Sequence, residues 1–308
     1  MQVTSSLTES VHAWRARGRF LTIAGRSLFV VDAGPRHAPP VLLLHGFPSS
    51  SHDFHQIVPA LERDHRVIAF DLPGFGLSDK PTEYSYSLVE QAEITTLLLR
   101  HLAIHTTQIV AHDMGTSVAS ELLALRERGL LPFEVDAVVL MNGSVHIELA
   151  QLTPSQKLLR SRFASTFVKL SSRKLFGAQI HRIVSRSLPE SALDDMWCLM
   201  NHKDGLARLP QTISYVAERT RFWHRWVGAL TRLDVPALVL WGPEDTVAVM
   251  AIGERLASEI PGARLERLEG LGHYPQLEDP ERVGSVLSEF LRTARPRQPM
   301  PSQPALLR

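Results

Sequence analysis

The chain has 308 residues, 44% of them hydrophobic, enough for one large core or two small ones. Its 33 basic and 32 acidic residues read as well mixed and leave a formal charge of +1, which excludes a nucleic-acid stripe and any polyanion-binding class. The single cysteine, Cys198, excludes an intrachain disulfide framework and a thiolate metal cluster, and it fits a reducing compartment.

Residues 1–17 carry no apolar signal core, and no stretch approaches the ~20 apolar residues of a membrane span, so a soluble, cytoplasmic protein is expected. Arg19 to Ile23 and Ser27 to Val31, joined by Ala24-Gly25, read as an opening hairpin. Pro40 to Leu44, Arg66 to Phe70, Gln108 to Ala111 and Ala137 to Met141 follow as strands, with helices near 52–62, 87–104 and 115–128 between them. This alternation predicts an α/β fold, a mostly parallel eight-stranded sheet with helices on both faces.

After Asn142-Gly143-Ser144 the strand rhythm stops, and 145–230 reads as an inserted helical lid. Thr153-Pro154 marks a helix start there, Ser191 to Asp194 resembles a capping box, and Gly177 and Ser187-Leu188-Pro189 read as breaks. Val235 to Leu240, a helix near 249–259, a strand at Arg264 to Leu268 and a helix near 280–293 complete the chain. The expected organisation is thus a core of 18–144 and 231–293, a lid of 145–230, and a disordered, proline-rich tail of 295–308.

The most informative run is Ala111-His112-Asp113-Met114-Gly115, where a strand meets a helix start with small residues on either side of an aspartate. A sharp strand-to-helix turn needs such small neighbours, because larger side chains would clash with the crossing backbone. Asp113 is therefore the expected nucleophile. Asp245, after Trp241-Gly242-Pro243-Glu244, and His273, between Gly272 and Tyr274, follow later strands in the order nucleophile, acid, base, with Glu244 as the alternative acid. The backbone N–H groups of Phe47, in His45-Gly46-Phe47-Pro48, and of Met114 are the expected oxyanion hole. Ser117 mimics a serine elbow but would sit inside the first helical turn. The loop Asp71 to Ser78 reads as a structural turn. No phosphate-cradling loop or metal-spaced histidine cluster is present, so neither a metal nor a cofactor is expected.

With these motifs in place, residues 18–293 resemble the α/β-hydrolase superfamily. His45-Gly46-Phe47-Pro48 and His112-Asp113 look like its epoxide hydrolase and haloalkane dehalogenase branch. Asn201 to Gly205, Arg225 to Leu230 and His273 to Pro280 are similar to the mesoderm-specific transcript proteins and their bacterial relatives. Haloalkane dehalogenases place Trp after the nucleophile and usually Asn after His-Gly to grip the halide; this chain has Met114 and Phe47. Epoxide hydrolases use two lid tyrosines, and Tyr215 is the only tyrosine in the expected lid, so His224 is a candidate second donor. Trp223 and Trp226 are expected, with Tyr215, to line or support the lid's inner face. The resemblance implies an aspartate that forms an alkyl-enzyme ester with a small apolar substrate, an epoxide first and a haloalkane as runner-up. A hydrolase-fold binding or regulatory protein without turnover is the alternative of a different class.

Overall fold

The computed structural model describes residues 7–294; the tail at 295–308 lies outside the described residues. Among these, eight strands are formed: β1 (Arg19–Ile23), β2 (Arg26–Ala33), β3 (Pro40–Leu44), β4 (Arg66–Phe70), β5 (Thr106–His112), β6 (Glu134–Met141), β7 (Ala237–Trp241) and β8 (Arg264–Arg267). They join in one sheet of order β1-β2-β4-β3-β5-β6-β7-β8, antiparallel at β1/β2 and β2/β4 and parallel elsewhere.

The sequence pattern explains the two covering layers. Leu42 and Leu44 of β3 enter one apolar cluster, and Val41 and Leu43 enter the other. A strand that is apolar on both faces requires cover on both. Helices Leu88–His101, Met114–Glu127 and Met250–Glu259 supply buried residues to the first cluster. Helices Glu9–Arg17, Val58–Leu61 and Pro280–Thr293 supply the second. The parallel strands deliver their carboxyl ends to one edge of the sheet, where loops after β3, β5, β7 and β8 converge.

Between β6 and β7 the chain is helical: Pro154–Leu159, Ala164–Leu170, Arg173–Ile180, Glu190–Asn201, Gly205–Thr212, Tyr215–Arg221 and Trp223–Thr231. Thr153 caps the first of these in a capping box closed by Gln156, with Pro154 in the first turn. The other expected cap is displaced. The helix begins after Pro189, whose extended backbone makes it the N-cap, so Ser191 and Asp194 lie inside the helix, where Asp194 pairs with Arg173. Gly177 is likewise internal to its helix and breaks nothing.

Two further expectations change. The helix expected near 52–62 divides into a 3-10 turn, Ser51–Phe54, and the single turn Val58–Leu61, because Ser51 is held by Asp71 through both its N–H and its hydroxyl. Glu9–Arg17 is an unexpected helix. It buries only Val11 and Trp14, too few apolar positions for a legible period.

Candidate active site

At the end of β5 the backbone turns through Asp113 at φ 45 and ψ −112, a region that costs a non-glycine residue roughly 1–3 kcal/mol. The neighbours explain how this turn is accommodated. A Cβ at Gly115 would stand 2.4 Å from the Leu44 carbonyl oxygen, and one at Gly46 would stand 2.7 Å from Asp113 Cβ. Glycine at both positions lets the β3 loop and the new helix close around the aspartate.

The structure brings Asp113, Asp245 and His273 together from three loops, each side chain buried. The Phe47 N–H donates to Asp113 Oδ2 at 2.9 Å, and Met114 opens helix Met114–Glu127 immediately beside it. His273 Nδ1 lies 2.7 Å from Asp245 Oδ2, so its Nε2 is the nitrogen left for Asp113 or water. Asp245 is itself fixed: Oδ1 accepts from the N–H groups of Val247 at 2.7 Å and Ala248 at 3.0 Å, and Oδ2 accepts from Asn142 Nδ2 at 2.9 Å. Glu244, the alternative acid, is exposed and has no part in this arrangement.

Electrostatics reinforce the geometry. Burial pushes the Asp113 carboxyl up, but His273, Arg219, His112 and the Phe47 N–H together hold it below the usual aspartate value. Burial opposes the His273 imidazolium, yet Asp245, through charge and hydrogen bond, and Asp113 push it up to about 9. The resting site is therefore an ion pair at neutral pH, a carboxylate facing an imidazolium.

Several contributors were not legible in the sequence. Arg219, from the helical segment, is buried beside the elbow: Nη2 donates to the Asp113 carbonyl at 3.0 Å, Nε donates to Ser117 Oγ at 2.9 Å, and Nη2 lies 3.6 Å from Asp113 Oδ1. Ser117 is thus occupied as a partner of Arg219 in the first helical turn. Asn142 joins the ends of β6 and β7, since its Oδ1 accepts from the Gly242 N–H while its Nδ2 holds Asp245. Glu278 accepts from the N–H groups of Gly272, Tyr274, Ser185 and Arg186, and so fastens the His273 loop to the helical segment. His112 Nε2 reaches the His273 carbonyl oxygen at 2.7 Å, and burial pushes this imidazole down to about 4, so it donates as a neutral ring. Apart from those of Glu278 to Gly272 and Tyr274, these contacts have no sequence signal, because each joins residues remote along the chain. The Asp71 loop does brace the site as a turn: Asp71 accepts from the Leu77 N–H, and the Leu72 N–H donates to His45 Nε2.

A pocket opens above the site, with an empty volume of about 740 Å³ that includes its mouth. It is lined by Phe47, Phe176, Trp197 and Val247, with Gln156 and His273 among its polar groups. Tyr215 is buried nearby, its ring 5.4 Å from that of Phe47 and under the Arg219 guanidinium, and its hydroxyl accepts from Gln156 Nε2 at 3.2 Å. Tyr215 therefore stands behind Phe47 and is not itself a lining residue, and the other residues expected to line the pocket lie elsewhere. Trp226 Nε1 and Arg225 both donate to the buried carboxylate of Glu121, which draws helix Trp223–Thr231 onto helix Met114–Glu127 and away from the pocket. Trp223 packs against His146, and His224 is exposed, stacked edge-on to Trp223. The tryptophan that lines the pocket is Trp197. Among the described residues no group of three or more His, Cys, Asp or Glu could hold a metal ion, and no helix is long and apolar enough to cross a membrane.

Comparison with known proteins agrees with this architecture. A family model described as alpha/beta hydrolase fold matches residues 39–280. LipZ of Mycobacterium tuberculosis, a protein that carries the name hydrolase, is 43% identical over 285 residues, covering 92% of this chain and 98% of its own. The mesoderm-specific transcript protein of Mus musculus is 35% identical over 286 residues, covering 89% and 85% respectively. The haloalkane dehalogenase DbeA of Bradyrhizobium elkani superposes with a TM-score of 0.75 at 23% identity, over 89% of this chain and 97% of that one, a likeness of fold.

Proposed function

The chain belongs to the alpha/beta hydrolase family, and from that premise and the carboxylate at its elbow we propose a hydrolase that works through an alkyl ester on Asp113, with an epoxide as the electrophile. The observation that carries this reading is the placement of Asp113: a buried, ionised carboxylate on a strained turn, with one oxygen on the Phe47 N–H and the other unengaged by that donor.

In the first step Asp113 Oδ1 attacks an oxirane carbon, forming a C–O ester bond as the ring C–O bond breaks. The departing oxygen needs a proton. Tyr215 supports that role, because its hydroxyl accepts from Gln156 and so keeps its own hydrogen to donate. Burial and the Asp113 charge raise its phenol above the ordinary tyrosine value, so it is protonated across neutral pH.

In the second step water adds to the Asp113 carboxyl carbon, and His273 takes its proton. The oxyanion then develops on Oδ2, where the Phe47 N–H already points and the Met114 N–H stands at the helix start. Collapse of the tetrahedral centre releases the diol as His273 passes its proton to the leaving oxygen, and the second water proton, left on the Asp113 carboxyl, returns to the Tyr215 phenolate to restore the starting carboxylate and phenol. A haloalkane could enter the same cycle. The side chains at the two halide-gripping positions are here Phe47 and Met114, which carry no donor, and this favours the epoxide. The helical segment, tied to the core by Arg219, Glu121 and Glu278, would serve as the lid that limits water.

A single turnover in heavy-oxygen water tests the mechanism: label is expected in the Asp113 carboxylate and not in the first product molecule, and the opposite distribution would overturn it. Styrene oxide and 1-bromobutane separate the electrophiles, with diol expected and bromide release without diol reversing their order.

The His273 value has a direct kinetic consequence. Alkylation needs ionised Asp113, held below the usual aspartate range, so its rate should be flat through neutral pH and fall only in acid. Ester hydrolysis needs neutral His273. Esterification removes the Asp113 charge that helps hold the imidazolium, so the hydrolytic step should rise with pH through an inflection below about 9. Rapid-quench measurement of the two steps across pH checks both slopes; a hydrolytic rate that falls with rising pH would be incompatible with His273 as base.

Arg219 should act through Asp113. Arg219→Met removes a cation that favours the carboxylate, so the acid limb of alkylation should move to higher pH and its rate fall by about 10- to 100-fold, as expected for a lost buried ion pair. Arg219→Lys should recover part of the loss. An unshifted acid limb in Arg219→Met would make the residue purely structural.

A further inference from the structure

The near balance of charge conceals one strongly biased segment. Residues 149–189 contain eight basic residues and no acidic one, which leaves 25 basic against 32 acidic residues in the remainder. The expectation of evenly mixed charge therefore fails here. Arg173 pairs with Glu190 and Asp194, and Arg186 with Asp279. The other six, Lys157, Arg160, Arg162, Lys169, Lys174 and Arg182, are exposed and form no ion pair among the described residues.

Large apolar side chains stand among these bases. Leu170 is 73% exposed, Phe163 53% and Leu175 40%. Single exposed leucines are ordinary. Here the segment that carries them borders an opening: Leu175, Ser171 and Ser172 line the pocket above His273, Arg182, Leu158 and Phe167 line the adjoining vestibule, and Phe163 and Leu170 stand at the two ends of helix Ala164–Leu170, which supplies Phe167. An apolar pocket thus opens through a surface that is basic and studded with apolar residues.

We propose that this face docks on an anionic lipid bilayer, with Phe163 and Leu170 entering the headgroup boundary, the surrounding bases meeting lipid phosphates, and the pocket taking its apolar substrate from the membrane. Charge complementarity selects the occupant. A nucleic acid or acidic protein would answer the bases but leave Leu170 and Phe163 unburied, and a neutral bilayer would answer only the apolar residues. A basic surface carrying Leu and Phe is the composition of segments that lie in the membrane interface. The proposal extends the functional reading by naming the source of the substrate. Binding is measured without turnover, so its failure is distinguishable from failure of the aspartate mechanism.

The experiment is co-sedimentation of the full chain with vesicles of phosphatidylcholine alone or with about 30% phosphatidylglycerol, at about 0.1 M salt. Binding to the anionic vesicles is expected, weakening as salt rises. The double variant Lys169→Ala, Lys174→Ala should lose about 25-fold in partitioning, since each base near the surface is worth about fivefold. The double variant Phe163→Ser, Leu170→Ser should also weaken binding. Both should turn over a short, water-soluble substrate at the unaltered rate, which shows that they are folded. Absence of the protein from the anionic pellet, or equal pelleting with the neutral lipid, would overturn the proposal. So would unchanged binding in the Phe163, Leu170 variant with equal capture by heparin, which would identify a soluble polyanion instead.

Discussion

Replacing His273 with glutamine is expected to stop the reaction halfway. Asp113 is ionised without help from a base, so attack on the electrophile should still proceed and the ester should accumulate. Glutamine cannot accept a proton from water, and turnover should fall by about 10³–10⁴-fold or more, the usual cost of losing the base of such a triad. Intact mass after incubation with an epoxide should show the protein heavier by one substrate, and peptide mapping should place the addition on Asp113. Glutamine removes the imidazolium that helps hold Asp113 ionised, but Arg219 and the Phe47 N–H remain beside the carboxylate, so it should still attack. Full turnover without any adduct would remove His273 from the mechanism.

Asp113→Asn should give the complementary result. The amide nearly matches the carboxylate in shape and so suits the strained turn, but it carries no charge with which to attack carbon. Turnover should fall by about 10⁴-fold or more, with no adduct formed. The same change removes a negative charge beside His273, so the imidazole should titrate lower than in the parent protein. Observing the His273 ring by NMR across pH checks that shift. Substrate protection against thermal unfolding should persist, because the apolar pocket is unaltered. Retained turnover would require a different nucleophile, whereas ligand binding in both variants without turnover of any substrate by the parent would favour the binding-protein alternative.

The core strands were legible because each couples a dense apolar run to a turn signal. Pro40 to Leu44 and Arg66 to Phe70 have the bounds read from their residues, and the Ala24-Gly25 turn sits between the first two strands. Helix bounds in the inserted segment were harder, since Pro189 overrode the Ser191 signal and Gly177 was absorbed within a turn of helix. The elbow was legible for a steric reason: only small residues fit beside a turn as tight as that at Asp113, and Gly115 announces this in one dimension.

Sequence alone determined the α/β architecture, the order of strands and helices in the core, and the three loops from which Asp113, Asp245 and His273 converge. Local rules govern those features, namely the period of apolar residues, the small residues at a tight turn and the chain order of the loops. Tertiary structure decided which acid serves His273, by burying Asp245 against Asn142 and leaving Glu244 in solvent. It also decided that Arg219 meets the elbow, that Trp197 rather than Trp226 lines the pocket, and that Gln156 rather than His224 meets Tyr215. For Asp245, Arg219 and Trp226 the reason is the same: a buried carboxylate or carbonyl must find donors, and the donor that satisfies it is chosen by packing between segments a hundred residues apart, as Asn142 and Asp245, Arg219 and Asp113 or Trp226 and Glu121 are, for which no local pattern exists.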